Sequence, residues 1–279
     1  PMASIASLVT LRPMPRGKMV TPLFGIFSIS LSLFLANNEN KALASPKPYL
    51  VVLDPGHGGA DLGATARIGK RRMAEKDIAL AIALHAEKIL SNPLYSKPLG
   101  RKVKVVLTRR RDQTLPLDSR SDLAKKERAD LFVSIHANSE TTHKARGLET
   151  YFLNNTDDKA SLKLQQIENR TSKRERPKTD DLLLRSIAAD AGVEASRSAA
   201  EILQASISDQ LRSEDLRFTD RGVKQAMLYV LLDSQVPAAL VECFYLSNQD
   251  DLALLAQPEN RARIAEGLAK GILRFLATR

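Results

Sequence analysis

Apolar residues fall along the chain in two kinds of run. Short blocks at Tyr49–Leu53, Val103–Leu107, Asp130–Ile135, Gly147–Leu153 and Pro237–Val241 are predicted as strands. Each is four to eight residues long and mostly apolar, as a buried strand requires. Between them, apolar positions recur at helical spacing. Ile78, Ile82 and Ile89 share a face of a helix from about Glu75 to Leu90, which Asn92-Pro93 stop. Ala195, Ala199, Ile202 and Leu211 share a face from about Glu194 to Leu211, and Ile264, Leu268, Ile272 and Leu276 make the last helix amphipathic. A shorter helix is expected near Arg120–Glu127, and Asn248 is the expected N-cap of a helix starting at Gln249. The loop from the first strand to about Ala74 reads as polar and glycine-rich. Strands alternating with helices predict the α/β class: a single domain with a mainly parallel twisted sheet flanked by helices.

The pattern breaks in two places. From Asn154 to about Ala191 the chain turns polar, and Lys173–Lys178 is too charged to pack. Leu162 and Leu164 before that block, and Leu182–Leu184 and Ile187 after it, keep helical spacing. Residues 154–191 therefore read as an insertion with partial helix content, too long for an ordinary connection. Upstream of Tyr49, Arg16 and Lys18 precede an uncharged run from Val20 to Ala36, and Ala42-Leu43-Ala44 follows. That order is a signal peptide, expected to span 1–44 and to be cut after Ala44, with an uncleaved anchor as the alternative. The run is short of the ~20 residues that a spanning helix needs. The expected product is a domain over 45–279, exported to the periplasm or cell envelope, with no stable membrane span after cleavage.

Charge and cysteine content narrow the partners. Loss of Arg12, Arg16, Lys18, Lys41 and Glu39 with the signal lowers the formal charge from +10 to +7. A basic exported protein suits an anionic polymer such as cell wall, or a membrane surface. Nucleic acid is not expected, because the chain has no Trp and its basic clusters are not interleaved with aromatics. The single cysteine, Cys243, cannot form an intrachain disulfide.

The candidate chemistry begins at DPGHGG, residues 54–59, where the first strand breaks into glycines around His57. His136 follows the third strand, Glu242 follows the strand PAALV, and Glu75 opens a helix. Carboxyl ends of parallel strands share one edge of a sheet, which is where crevices form. Two histidines and one glutamate are a three-ligand set for Zn²⁺, and a second glutamate is needed as general base for its water. Spacing alone leaves open which glutamate does which. His85 lies about 15 Å along the helix from Glu75, and is expected to be half-buried packing. His143 reads as a solvated loop residue, Cys243 as a small buried residue rather than a nucleophile, and Glu149 as an outward strand residue. Arg109, Arg110 and Arg111 read as a solvated charge run.

Six ordered stretches, DPGHGG (54–59), AEKDIALAIAL (74–84), LTRRRD (107–112), ADLFVSIHAN (129–138), RGVKQAMLYVL (221–231) and PAALVECFYLSN (237–248), resemble the zinc-dependent N-acetylmuramoyl-L-alanine amidases. The resemblance implies cleavage of the amide between N-acetylmuramic acid and L-alanine in peptidoglycan, during wall remodelling or daughter-cell separation. It implies His57, Glu75 and His136 as zinc ligands and Glu242 as the catalytic glutamate. Similarity to the cell-division amidases extends to SLKLQQIEN at 161–169, and implies that the insertion covers the zinc site, with Glu168 on the open metal position, until a protein activator displaces it. Two other readings use the same residues: a zinc-bearing wall-binding or regulatory protein without turnover, and a zinc peptidase acting on wall peptides. Glu242, as a candidate base, favours an enzyme over the first of these.

Overall fold

A computed structural model describes residues 46–171, 190–232 and 234–279. The segment 1–44 and the middle of the 154–191 stretch lie outside the described residues. Eight strands are present among the described residues: β1 Tyr49–Pro55, β2 Thr65–Ile68, β3 Arg71–Ala74, β4 Val103–Leu107, β5 Leu131–Asn138, β6 Leu148–Leu153, β7 Asp220–Ala226 and β8 Ala238–Tyr245. The principal helices are α1 Glu75–Leu90, α2 Leu117–Glu127, α3 Lys159–Glu168, α4 Asp190–Ser213, α5 Gln249–Ala256 and α6 Pro258–Leu276. Six strands form one sheet in the order β4-β1-β5-β8-β6-β7. Its pairs are parallel except β6 with β8, which run antiparallel. The α/β, mainly parallel architecture is as the sequence predicts.

Burial on both faces of the sheet explains the apolar blocks. Tyr49, Val51 and Leu53 of β1 pack into one cluster with α1, α4 and α6 through Ile78, Ile82, Leu203, Ile207, Leu268 and Ile272. Leu50 and Val52, on the other face, join Ala124 of α2, Phe132, Tyr151, Leu240 and Leu164 of α3. A strand buried on both faces carries apolar residues without alternation. Asn248 caps α5, its side chain accepting from the amides of Asp250 and Asp251.

The differences from expectation concern ends and polar strands. β5 and β8 run to Asn138 and Tyr245, so His136 and Glu242 lie within strands rather than after them. The hairpin β2–β3 occupies part of the expected loop before Glu75, and β7 is an additional edge strand. α4 starts at Asp190, four residues before the expected Glu194.

One buried ion pair anchors the turn after β1. Asp54 is fully buried, and its Oδ1 accepts from Arg120 Nη1 at 2.8 Å and from Thr108 Oγ1 at 2.6 Å. Its Oδ2 accepts from Ser134 Oγ at 2.8 Å. Burial raises the Asp54 pKa, but the Arg120 charge and the hydroxyl donors outweigh it and hold the carboxyl below its usual range. A depressed folded pKa contributes stability above the unfolded value, ~3.9, which is lost as pH falls through the folded value. Asp54→Asn leaves Arg120 buried without its counter-charge. It is expected to lower stability by roughly 3 kcal/mol at neutral pH in urea melts, with the difference from the parent shrinking in strong acid.

Candidate metal centre

His57 sits two residues beyond β1, in a backbone conformation with φ of 57°. The next residue, Gly58, has φ of 126°, which a side chain tolerates poorly. Gly56 matters through space: a Cβ there would collide with the His136 ring. The His57 and His136 rings consequently lie edge to face, with centroids 5.0 Å apart. Glu75 is the first residue of α1, directly after β3, so the hairpin delivers it to the same edge of the sheet.

Four side chains converge there. Glu75 Oε1 is 3.0 Å from His57 Nε2 and 2.9 Å from His136 Nδ1. Glu168, the last residue of α3, brings Oε2 to 3.1 Å from His136 Nδ1 and 3.8 Å from His57 Nε2. One donor atom from each of His57, Glu75, His136 and Glu168 lies within 4.8 Å of every other. Ligands at 2.0–2.1 Å around a tetrahedral ion stand about 3.3 Å apart, so the set suits Zn²⁺. His57 Nε2 is buried and, although close to Glu75, closes no hydrogen bond. His57 Nδ1 lies 2.9 Å from Asp61 Oδ2. A carboxylate on one imidazole nitrogen fixes the tautomer and turns the other nitrogen's lone pair toward a metal.

Electrostatics favours a cation in the centre. Burial lowers the His57 pKa, but the Glu75 charge and the Asp61 and Glu75 contacts outweigh it and raise it to about 11. Burial pushes Glu75 up, but the two histidines outweigh it and hold it low. Glu168 is pushed up by burial, and the Glu75 charge adds to the rise. Glu242 lies opposite His136 in the β5–β8 register and is fully buried. Neither of its oxygens has a hydrogen-bond partner, and burial together with Glu168, Glu75 and Glu149 raises its pKa well above the usual range.

A cleft of about 760 Å³ opens over the centre. His57, Glu75, His136 and Glu168 line it, along with His143 of the 139–143 loop, whereas Glu242 does not reach its wall. The other candidates fall as follows. His85 is exposed rather than half-buried, with Nδ1 on the Ala81 carbonyl, because it lies on the solvent side of α1. Cys243 is fully buried among apolar residues, and burial raises its thiol pKa. Glu149 faces inward, contrary to expectation. Its Oε1 accepts from Asn138 Nδ2, Tyr151 Oη and Tyr245 Oη, and its Oε2 from Arg221 Nε and Lys224 Nζ, at 2.6–3.0 Å. Arg109 is likewise no solvated residue: it is 2% exposed, and only Arg110 and Arg111 of that run reach solvent.

The model of the family described as N-acetylmuramoyl-L-alanine amidase matches residues 51–274. The N-acetylmuramoyl-L-alanine amidase AmiA of Escherichia coli K12 is 32% identical over 243 residues, covering 86% of this chain and 80% of that protein. The crystal structure of an N-acetylmuramoyl-L-alanine amidase from Clostridium difficile 630 superposes with a TM-score of 0.62 at 26% identity, covering 84% of this chain and 99% of that one. The catalytic domain of CwlV, an amidase of the same name from Paenibacillus polymyxa, gives 0.60 at 30% identity, covering 83% and 99%.

Removing an imidazole tests the donor set. His57→Ala and His136→Ala are each expected to lose bound zinc, measured by elemental analysis of the purified variants, since three protein ligands are the usual complement of an open zinc site. Parent-level zinc in either variant would remove that histidine from the set.

Proposed function

The chain belongs to the N-acetylmuramoyl-L-alanine amidase family, hydrolases of the amide that joins peptide to glycan in peptidoglycan, and from that premise we propose which of its residues do the work. The observation that carries the proposal is the convergence of His57, Glu75 and His136 beside the buried, unpartnered carboxylate of Glu242. His57 through Nε2, Glu75 through Oε1 and His136 through Nδ1 would hold zinc. Zinc, when bound, lowers the pKa of a coordinated water toward ~7 and polarises the scissile carbonyl. Glu242, off the cleft wall in the described conformation, would take the proton of the attacking water and pass it to the departing amine of L-alanine once the site opens to it. Asp61 keeps the His57 ring in the ligating tautomer.

Glu168 supplies the fourth donor in the described conformation. We read this as a closed state, in which a carboxylate on α3 occupies the position that the attacking water needs. A protein activator that binds α3 displaced from the centre then switches the enzyme on. A signal peptide at 1–44 would carry the enzyme to the periplasm or cell envelope, on the side of the membrane where its substrate lies. Among the described residues no helix is long and apolar enough to cross a membrane.

Mass spectrometry of purified cell wall digested by the protein tests the reaction. An amidase frees intact stem peptides bearing an L-alanine amine and leaves the glycan uncut; shortened peptides would assign a peptidase instead. Glu242→Gln keeps the shape of the side chain and loses the base, so zinc content is expected to hold while turnover falls by at least ~10²-fold. Near-parent turnover would place the base elsewhere. Glu168→Ala is expected to raise basal wall cleavage by ~10-fold or more, equivalent to ~1.4 kcal/mol on the closed–open balance. Unchanged basal activity in a folded, zinc-loaded Glu168→Ala protein would rule out the lid.

A further inference from the structure

We propose that Arg109 is a positioning residue of the metal centre, holding the His57 loop and the start of the Glu75 helix in one register so that zinc affinity depends on it. The proposal rests on zinc binding by His57, Glu75 and His136. Arg109 lies two residues beyond the end of β4, in the loop facing the glycines that follow β1. Its Nε donates to the Pro55 carbonyl at 2.9 Å, and its Nη2 donates to the carbonyls of Gly56 at 2.6 Å and Lys76 at 2.8 Å. Gly56 directly precedes His57, and Lys76 directly follows Glu75. One planar guanidinium thus spans the two segments that carry two of the three ligands, at the residues adjoining them.

The neighbouring contacts agree. Arg120 binds the carbonyls of Pro55 and His57, at 2.8 and 2.7 Å. Three consecutive carbonyls, 55 to 57, are therefore held by two guanidiniums, which fixes the backbone from which the His57 ring reaches Glu75. A Cβ at Gly58 would meet Nε and Cδ of Arg109 and the Gln113 carbonyl, so the loop lies against the guanidinium.

Arg109 is a costly choice for mere filling. Among the described residues no carboxylate lies within ion-pair distance of it, whereas Arg120 has Asp54. Burial and the nearby Arg120 charge both lower its pKa. An apolar side chain often replaces a buried charge with no loss of stability. What an apolar side chain cannot do is donate hydrogen bonds to these carbonyls. Lysine, a point charge with three rotatable donors, cannot reproduce the rigid fork either.

The test uses the full chain with Arg109→Lys and Arg109→Gln, with Arg110→Gln as the exposed neighbour in the same run. Zinc dissociation constants are measured by competition with a chromophoric chelator, thermal midpoints on the metal-free proteins, and visible spectra on the cobalt-substituted ones. Arg109→Lys is expected to keep a metal-free midpoint within a few degrees of the parent, to bind zinc ~10–100-fold more weakly, and to shift the cobalt bands. Arg110→Gln is expected to match the parent in all three. A folded Arg109→Lys and Arg109→Gln with parent zinc affinity would overturn the proposal while leaving the metal reading intact. If both variants fail to fold, Arg109 is a folding residue and the proposal is equally overturned. Parent zinc binding that survives His57→Ala would instead sink the metal reading, and this proposal with it.

Discussion

Carboxylates crowded into a dry place are the constraint on which this molecule turns. Glu75 and Glu242 are buried and Glu168 nearly so at one edge of the sheet; the Glu75 charge raises the proton affinity of Glu168, and both raise that of Glu242. Unpaired buried charge is expensive. Two histidines offset part of it, and a divalent cation held by the same side chains would offset the rest. The neighbourhood is built to keep those acids close: Gly56 admits the His136 ring, Asp61 orients His57, and the amides of Ala64 and Ala137 donate to Glu75 at 2.8 and 3.1 Å. Each contact restricts a ligand without contributing one.

The same edge is braced by charges outside the group of four converging side chains. Asp54 with Arg120, and Arg109 on three carbonyls, brace the turn after β1. Glu149, with five donors from β5, β6, β7 and β8, braces the opposite side. Burial raises the Glu149 pKa, but Lys224, Arg221 and Tyr245 outweigh it and keep the carboxyl low. It therefore stays a fixed negative charge across the β6–β8 register from Glu242, and contributes to the proton affinity of that residue. Two similar glutamates on adjacent strands differ because one is saturated with donors and the other has none.

The sequence disclosed the parts of this arrangement that depend on local pattern. β1 was readable because a doubly buried strand shows as an unbroken apolar run, and a proline followed by glycines marks its end. The shared edge of parallel strands made His57 and His136 readable as neighbours, and Glu242 lies opposite His136 in the β5–β8 register. Arg109 was not readable: the first of three arginines points into a turn whose carbonyls only the folded backbone assembles. Glu149 was misjudged because alternation along GLETYFL suggests an outward face, whereas β6 lies inside the sheet with Leu148 to Phe152 all buried. The hairpin β2–β3 and edge strand β7 escaped for the opposite reason. Half-exposed strands rich in Arg, Lys and Thr carry little apolar signal.

The proposed closed state follows the same electrostatic logic. α3 is ten residues long, too short to be stable alone in water. Its apolar grip is slight: Leu164 is buried, but Leu162 and Ile167 remain 37% exposed. Its polar grip includes a Gln165 contact to the Met227 amide, the Asn169 side chain just beyond it, bonded to the Met227 carbonyl and the Tyr229 amide, and Lys163 on Thr141 and Glu140. One leucine, two amide side chains and a half-exposed lysine do little against the entropy of ordering ten residues. A further hold comes from Glu168, whose carboxylate lies 3.1 Å from His136 Nδ1 and 3.8 Å from His57 Nε2. If zinc joins those partners, the contact that secures the lid is strongest when the centre is loaded. The lid then closes on the form of the enzyme able to cut the wall and loosens on the form that cannot, so an activator has to work only against the competent one.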